Sequence, residues 1–177
     1  MILFHGSPQI VEEPRILVPE RTLDYGVGFY TTTSEKQAHD WALRRAAQQG
    51  CGFVNLYEFD ETAAAELKRL DFPQPPGEEW VDFVYANRNQ RGFTHDNDLI
   101  YGPVANDRVY AAFALFEQGL LSKQELITEL KTYKLIDQMV FHTQVAEITQ
   151  QNLFLILAGK AAAVALYQDY AGITIGS

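Results

Sequence analysis

The sequence predicts an α+β fold in which strands and helices follow an irregular order. Short runs of alternating, β-branched or aromatic residues indicate strands, and apolar residues at helical spacing indicate helices between some of them. The two kinds of segment do not follow the regular alternation of βαβ units. At 177 residues the chain is most simply one domain, residues 1–177, able to bury roughly two-thirds of the surface that its unfolded form exposes.

Eight segments carry strand patterns. The segment 16–18 suits a short edge strand, because prolines flank it. In the strand that follows Ile136, alternation puts Met139 and Phe141 on one face and Gln138 and Val140 on the other. The predicted strands cover residues 2–4, 16–18, 28–32, 53–59, 68–72, 99–101, 137–142 and 152–157.

Helices are predicted where a capping residue precedes apolar residues at helical spacing. Ser34 with Gln37, and Ser122 with Glu125, match the capping-box pattern. Glycine at position 50 suits the end of the first helix. The predicted helices cover residues 34–49, 80–87, 108–118 and 122–131, and an alanine-rich helix covers 160–170.

Composition narrows the class of protein and its partners. The net charge of -9 opposes phosphate attraction, so nucleic acid is an unfavourable partner. The single Cys51 suits a reducing cytoplasm, and the apolar run at 153–158 is too short to cross a membrane. We therefore expect a soluble cytoplasmic protein. The four histidines are widely spread, which argues against a metal site.

The first forty residues contain the best candidates for a ligand site. His5 follows a short apolar strand and precedes Gly6, where a strand presents polar groups to a cleft. Gly26 and Gly28 precede Tyr30, whose ring is thereby available to a flat ligand. Together these two pieces suggest one nucleotide pocket. Phosphate-loop, dinucleotide-fold, zinc-protease and serine-hydrolase motifs are absent.

These motifs resemble the ADP-ribosyltransferase superfamily, and most closely its H-Y-E branch of diphtheria-type toxins and poly(ADP-ribose) polymerases. The matching residues are His5-Gly6-Ser7, Gly26-Val27-Gly28-Phe29-Tyr30, Trp41 and Gln138-Met139-Val140-Phe141. The runs L-D-Y-G-V-G-F-Y, Q-A-x-x-W-A, W-x-x-F-V, G-P-V-A-N-D and D-Q-M-V-F-H-T look like a bacterial family of uncharacterised domains in that superfamily. The resemblance covers about residues 2–146 and implies a split, mixed or antiparallel sheet core with flanking helices.

The resemblance also implies roles for individual residues. The backbone of Gly6 would hold the nicotinamide amide of NAD in two hydrogen bonds, with Ser7 assisting. His5 would bind the adenine-side ribose, and Tyr30 and Trp41 would stack on either side of the nicotinamide. Gly28 belongs to the same cofactor-binding motif. NAD is then a co-substrate, and no metal is implied.

Two positions depart from the family pattern. Ala38 replaces a serine that the polymerases use to contact the carboxamide, and Gln138 stands at the position of the catalytic glutamate. Glutamine can hydrogen-bond the ribose 2′-hydroxyl but supplies neither negative charge nor a base. This favours transfer of a single ADP-ribose, and it leaves an inactive domain open. Asp137 is adjacent, but strand alternation directs it to the opposite face.

The sequence thus supports three functions. The first is an NAD-dependent mono-ADP-ribosyltransferase of H-Y-Q type, as a bacterial toxin that modifies a protein or other macromolecule and is paired with an antitoxin protein. The alternatives are a non-catalytic module that binds NAD or a partner, and an NAD glycohydrolase. The run at 102–107 is either a strand stop with a helix cap at Asn106 or Asp107, or a loop lining the acceptor side of the cleft together with Arg91, His95 and Asp98.

Overall fold

The fold is α+β, as predicted. The computed structural model describes residues 1–12, 14–17, 22–62, 64–104, 107–142, 159–169 and 172–175. The strands are β1 (Ile2–Ser7), β2 (Phe29–Thr31), β3 (Cys51–Glu58), β4 (Arg69–Asp71), β5 (Leu99–Pro103), β6 (Asp137–Phe141), β7 (Gly159–Asp169) and β8 (Gly172–Ile175). The helices are α1 (Glu35–Gln49), α2 (Glu78–Asn89), α3 (Asp107–Glu117) and α4 (Lys123–Leu130).

The described strands form two four-stranded sheets. The first has the order β1-β3-β7-β8 and is antiparallel throughout. The second has the order β2-β6-β5-β4, with one parallel pair, β4 and β5. An antiparallel bridge between Phe4 and Thr32 joins them, with backbone hydrogen bonds of 2.8 and 2.9 Å. The first and second strands of the chain therefore meet at the junction of the sheets.

Apolar residues pack in separate layers on the two faces of the second sheet. Met139 and Phe141 join a cluster shared with Leu3 and Tyr57 of the first sheet. Val140 belongs instead to the cluster formed with α2, α3 and α4. The predicted alternation along β6 is thus confirmed, because its successive residues enter different cores.

Helix α1 lies directly on the first sheet because the residues at the contact are small. Ser34 accepts a hydrogen bond from the Gln37 amide at 3.2 Å, but the predicted capping box is only half formed, because the buried Oε1 atom of Gln37 has no hydrogen-bond partner in the described part of the chain. Gly50 ends the helix with a φ of 85°, as predicted. Beneath the helix, a Cβ atom added at Gly52 would overlap the carbonyl oxygen of Ala42. Only glycine therefore fits at this position without moving the helix.

We expect Gly52→Ala to lower the free energy of unfolding by about 1–3 kcal/mol, because the added methyl group overpacks the helix–sheet contact. Gly77→Ser is the control, since a Cβ atom at Gly77 meets no other atom within 4 Å and serine suits its N-cap position. Urea unfolding of both variants measures the difference. Equal stability of the two variants would contradict the close contact.

The prediction of an alanine-rich helix at 160–170 is wrong, because Gly159–Asp169 form strand β7. It pairs with β3 in a register that runs from Cys51 opposite Tyr167 to Glu58 opposite Gly159. Alanine favours helices only weakly, and bonding along a neighbouring strand outweighs that preference. The four remaining predicted helices are all present, and their ends lie within a few residues of the predicted ends.

Two predicted strand features also differ. Strand β5 does not stop before Gly102, since Gly102 and Pro103 pair with Gln138 and Asp137. Proline is tolerated there because it lies at the strand end, beyond the residues that pair with β4. Residues 16 and 17 are not in a strand, and Ile16 packs against the core between the sheets.

Three further predictions fall outside the described residues: position 18 of the edge strand, the strand at 152–157 and the cap at Asn106. The capping box of Ser122 and Glu125 is confirmed at the start of α4. Among the described residues, no helix has the length and apolar character that crossing a membrane requires.

Candidate active site at the junction of the sheets

Four of the predicted site residues lie around the bridge between Phe4 and Thr32. The Nδ1–H of His5 on β1 donates a hydrogen bond of 2.7 Å to the carbonyl oxygen of Tyr30 on β2. A Cβ atom added at Gly6 would lie 3.1 Å from the Cβ atom of Trp41 on α1. The structure therefore brings the His-Gly motif, the strand bearing Tyr30 and the helix bearing Trp41 together.

His5 is held as a neutral imidazole with one free nitrogen. A carbonyl oxygen only accepts hydrogen bonds, so the bond to Tyr30 places the proton on Nδ1 and leaves the lone pair of Nε2 available. Burial lowers the pKa of His5, the Tyr30 carbonyl opposes that shift, and the charge of Arg45 adds to it. The ring also contacts Phe29, with 4.7 Å between centroids. Nε2 can therefore accept a hydrogen bond from a hydroxyl group.

The backbone of Gly6 is directed to the outer edge of its sheet. Both the N–H and the C=O of Phe4 bond to Thr32, on the side away from β3. In a β-strand, the backbone N–H and C=O of every second residue point to the same edge. The N–H and C=O of Gly6 therefore point to the same edge of β1 as those of Phe4, one step beyond the bridge. Among the described residues, no backbone group bonds to them there. One donor and one acceptor thus stand side by side next to Trp41.

Ser7 and the fully buried Asn55 organise the loop that follows β1. The Ser7 hydroxyl donates to the carbonyl oxygen of Gln9 and accepts from Nδ2 of Asn55 at 3.1 Å. The Oδ1 atom of Asn55 accepts from the amide of Val11 at 2.8 Å. The Ser7 hydroxyl is thus engaged within the protein. Sequence reasoning missed Asn55, although a polar residue on the Tyr57 face of an otherwise apolar strand was a usable signal.

Tyr30 and the glycines before it are tied to the second sheet. The Tyr30 hydroxyl donates to the carbonyl oxygen of Gly26 at 2.6 Å, and the ring is half-buried beside the helix-side core. A Cβ atom at Gly28 would lie 2.6 Å from Cγ1 of Val140 and 2.8 Å from the carbonyl oxygen of Phe141. Close packing against β6 is therefore sufficient to explain why residue 28 is a glycine.

Gln138 and Asp137 face opposite sides of β6, as strand alternation predicts. Gln138 is partly exposed and lies opposite Gly102 in the register. The carboxylate of Asp137 accepts hydrogen bonds from the amide and the hydroxyl of Thr33, at 3.0 and 2.6 Å, and from the Tyr101 hydroxyl at 3.0 Å. Asp137 thus anchors the turn between β2 and α1, a positional role that sequence reasoning missed.

A separate cavity of about 480 Å³ lies beside the Gly26 turn. Arg91 and His95, which the sequence suggested for an acceptor side, line this cavity. The carboxylate of Asp98, the third residue of that group, instead accepts a hydrogen bond from the amide of Lys68 at 2.9 Å. The cavity is therefore built largely from the end of α2 and the loop that follows it.

Behind the cavity, His95 stacks edge to face on His142, with 4.6 Å between ring centroids. The Nδ1–H of His142 donates to the carbonyl oxygen of Val27 at 2.7 Å. Its buried Nε2 has no hydrogen-bond partner in the described part of the chain. Burial lowers the pKa of His142 to about 4, so the ring is neutral at pH 7. Within the described ranges, no three histidine, cysteine or carboxylate side chains are grouped to hold a metal ion.

The chain belongs to the family described as "Protein of unknown function (DUF3990)", whose model matches residues 1–151. The match includes every predicted site residue from His5 to Gln138, whereas β7 and β8 lie beyond it. No curated protein and no solved structure matches the chain. The family description names no activity.

Proposed function

We propose that the protein is an NAD-dependent mono-ADP-ribosyltransferase. The observation that carries the proposal is the placement of the His5 imidazole and the free backbone pair of Gly6 beside Tyr30, at the point where two sheets meet. The split arrangement of the sheets supports an ADP-ribosyltransferase-like core, which the sequence motifs of β1, β2 and β6 suggested. In this proposal residues 1–177 act as one catalytic domain with an H-Y-Q set of residues.

The nicotinamide end of NAD matches the backbone pair of Gly6. A carboxamide has one carbonyl acceptor and N–H donors, so it can bond to the N–H and C=O of Gly6 at once. In this proposal the ring of Tyr30 stacks on the nicotinamide, and Trp41 lies next to Gly6 on the helix side. Two backbone hydrogen bonds and stacking would fix the ring in one orientation.

His5 suits a sugar hydroxyl. Its Nε2 accepts a hydrogen bond because Nδ1 carries the proton, and the lowered pKa keeps it neutral. We assign Nε2 of His5 to a hydroxyl of the adenine-side ribose. His5 and Gly6 on β1, together with Tyr30 on β2, would then hold both ends of the dinucleotide.

The reaction breaks the bond between nicotinamide nitrogen and ribose C1′. The bonding electrons pass to the nicotinamide ring, which leaves neutral, while positive charge develops on the ribose. A nucleophile of the acceptor bonds to C1′ and loses its proton to a base of the acceptor or to solvent. Gln138 can hydrogen-bond the ribose 2′-hydroxyl but offers no negative charge. This favours slow transfer of a single ADP-ribose over chain elongation.

A macromolecular acceptor and a role as a bacterial toxin with an antitoxin partner follow from the resemblance to diphtheria-type toxins, and they form part of the proposal. A second candidate function is a non-catalytic module that binds NAD or a partner protein. The observation that favours it is Gln138, which removes the carboxylate that the H-Y-E branch uses. An NAD glycohydrolase, with water as acceptor, is the third.

Labelled NAD incubated with the protein and a bacterial lysate distinguishes these functions. We expect label on a macromolecule together with nicotinamide release, and a loss of about a hundredfold or more in His5→Ala and Tyr30→Ala, since both hold the reacting geometry. His39→Ala, on the same helix as Trp41, is the control and should keep the activity. Thermal unfolding checks that each variant is folded.

The outcomes separate the candidates clearly. Nicotinamide release without labelled macromolecule supports the glycohydrolase, and NAD binding without turnover supports the non-catalytic module. Gln138→Glu is the complementary variant: at the catalytic position a restored carboxylate should raise the rate of NAD cleavage. Unchanged cleavage kinetics in Gln138→Glu would show that this residue lies away from the reacting ribose.

A further inference from the structure

Two arginine side chains cover the ring of Trp41. The guanidinium carbons of Arg44 and Arg45 lie 5.7 and 5.1 Å from the ring centroid, within the range of cation–π contacts. Residues three and four positions apart share one face of a helix, so the three side chains form one patch on α1. We refer to Trp41, Arg44 and Arg45 as the arginine–tryptophan patch.

The patch adjoins the free edge of β1. Trp41 is the residue of the patch nearest to Gly6, with 3.1 Å between its Cβ atom and a Cβ atom added at Gly6. Arg45 is half-buried, whereas Arg44 is exposed. Burial has the largest effect on the His5 pKa, and the positive charge of Arg45 also lowers it. The Arg45 guanidinium is therefore within electrostatic reach of the His5 imidazole. Arg45 therefore lies over Trp41, the helix neighbour of Gly6, and within electrostatic reach of His5.

The patch also differs from several other cationic residues of this acidic chain. Many of the basic side chains pair with a carboxylate: Lys36 with Asp40, Lys68 with Asp96, Arg69 with Asp71, Arg88 with Asp24, and Lys123 with Glu78 and Asp82. Within the described ranges, Arg44 and Arg45 have no such ion pair, and Arg45 makes one long hydrogen bond, 3.4 Å, to Oε1 of Gln48. Although the chain has a net charge of -9, the positive charges of these two arginines are available to a negatively charged ligand.

We propose that Arg45 binds the diphosphate of NAD. This rests on the proposed function and adds to it the residue that neutralises the dinucleotide's negative charge. A planar guanidinium matches two phosphate oxygens at once, and such charge-assisted pairs are among the stronger hydrogen bonds in proteins. Gly6, His5 and Arg45 then recognise the carboxamide, the ribose and the diphosphate respectively. Arg44, which is exposed on the same ring, is the matched control.

Titration calorimetry with NAD, ADP-ribose and nicotinamide, each on the full chain, tests the assignment. In Arg45→Gln, which keeps a side chain over Trp41, we expect NAD and ADP-ribose to bind roughly ten- to a hundredfold more weakly. Nicotinamide, which lacks phosphate, should bind as it does to the unmodified protein. Arg44→Gln should change each affinity by less than about threefold, and Arg45→Lys should recover part of the loss because it restores charge without the planar fork.

Salt dependence gives a second measurement. NAD affinity should fall as ionic strength rises, and the fall should be shallower in Arg45→Gln because one charged contact is gone. If NAD binds the unmodified protein and Arg45→Gln with equal affinity, the assignment of Arg45 is wrong while the proposed function stands. An equal loss of nicotinamide binding in Arg45→Gln also overturns it, since that indicates a general disturbance of the site. If the unmodified protein binds none of the three compounds, the proposed function fails together with the assignment.

Discussion

Arg88→Ala is expected to lower the free energy of unfolding by about 3–5 kcal/mol, because it removes a guanidinium that donates two hydrogen bonds to a buried carboxylate. The Nε and Nη2 atoms of Arg88 donate to Oδ1 of Asp24 at 2.9 and 2.6 Å. The two side chains are only 10% and 6% exposed. The guanidinium also lies over Tyr110 and Phe113, at 4.2 and 4.8 Å from their ring centroids, so its removal also opens a gap between α2 and α3.

The same substitution should weaken the candidate site indirectly. Asp24 begins the turn whose Gly26 carbonyl holds the Tyr30 hydroxyl. Loss of Arg88 therefore loosens the support of the Tyr30 ring without touching a ligand. Under the proposed function, NAD binding should weaken less than in Tyr30→Ala.

Arg69→Ala provides the comparison, because Arg69 pairs with Asp71 at 2.8 Å on the surface, with exposures of 38% and 52%. We expect its cost to stay below about 1 kcal/mol. Urea unfolding, followed by circular dichroism, measures both variants. Similar stabilities for Arg88→Ala and Arg69→Ala would mean that the buried pair contributes no more than a surface pair.

The second large effect is a loss of stability in weak acid caused by His142. This side chain is 2% exposed, and burial lowers its pKa from 6.5 to about 4. Between these two pH values the unfolded chain binds a proton that the folded chain does not, so stability falls as pH decreases through this window. The difference between the two pKa values corresponds to about 3 kcal/mol at most. Burial lowers the pKa of His5 and His95 too, which adds an effect of the same sign.

The experiment compares unfolding free energies at pH 7 and about pH 5, above the range in which most carboxyl groups titrate. His142→Asn keeps a donor for the Val27 carbonyl at the position of Nδ1 but does not titrate, so its stability should depend less on pH. His39→Asn, at a partly exposed position of α1, should retain the original dependence. An unchanged pH slope in His142→Asn would show that the buried imidazole is not the cause.

Local signals predicted most of the secondary structure. Ser34 and Ser122 begin helices because each side chain accepts a hydrogen bond from a backbone amide of the first turn. The alternation of Met139, Val140 and Phe141 was readable because the two faces of β6 enter different apolar clusters. Patterns of this kind depend only on neighbours in the chain, so the sequence alone is sufficient to recognise them.

The failures concern pairing between distant segments. Residues 160–170 are rich in alanine, and nothing in that stretch reveals that β3 offers an edge for it to pair with. Strand β5 extends through Pro103 for a similar reason, because β6 runs alongside it. In both cases a partner far away in the chain decides the outcome, and local propensity is too weak to oppose it.

For the site, the motifs grouped His5, Gly6, Tyr30 and Trp41, which lie around one junction in the structure, but their supporting contacts were not predictable. Asn55 organises the loop after β1 from a strand fifty residues away. Such partners leave little trace in a single sequence, since a buried amide and a surface amide look alike until the fold is known.

The bridge between Phe4 and Thr32 makes the candidate site a seam between the two sheets. A ligand held by β1 on one side and by β2 on the other would act as a non-covalent cross-link across this seam. Its binding energy would then add to the cooperativity of unfolding as well as to overall stability. Ligand binding should then slow hydrogen exchange at the amides of Phe4 and Thr32, whose hydrogen bonds join the two sheets.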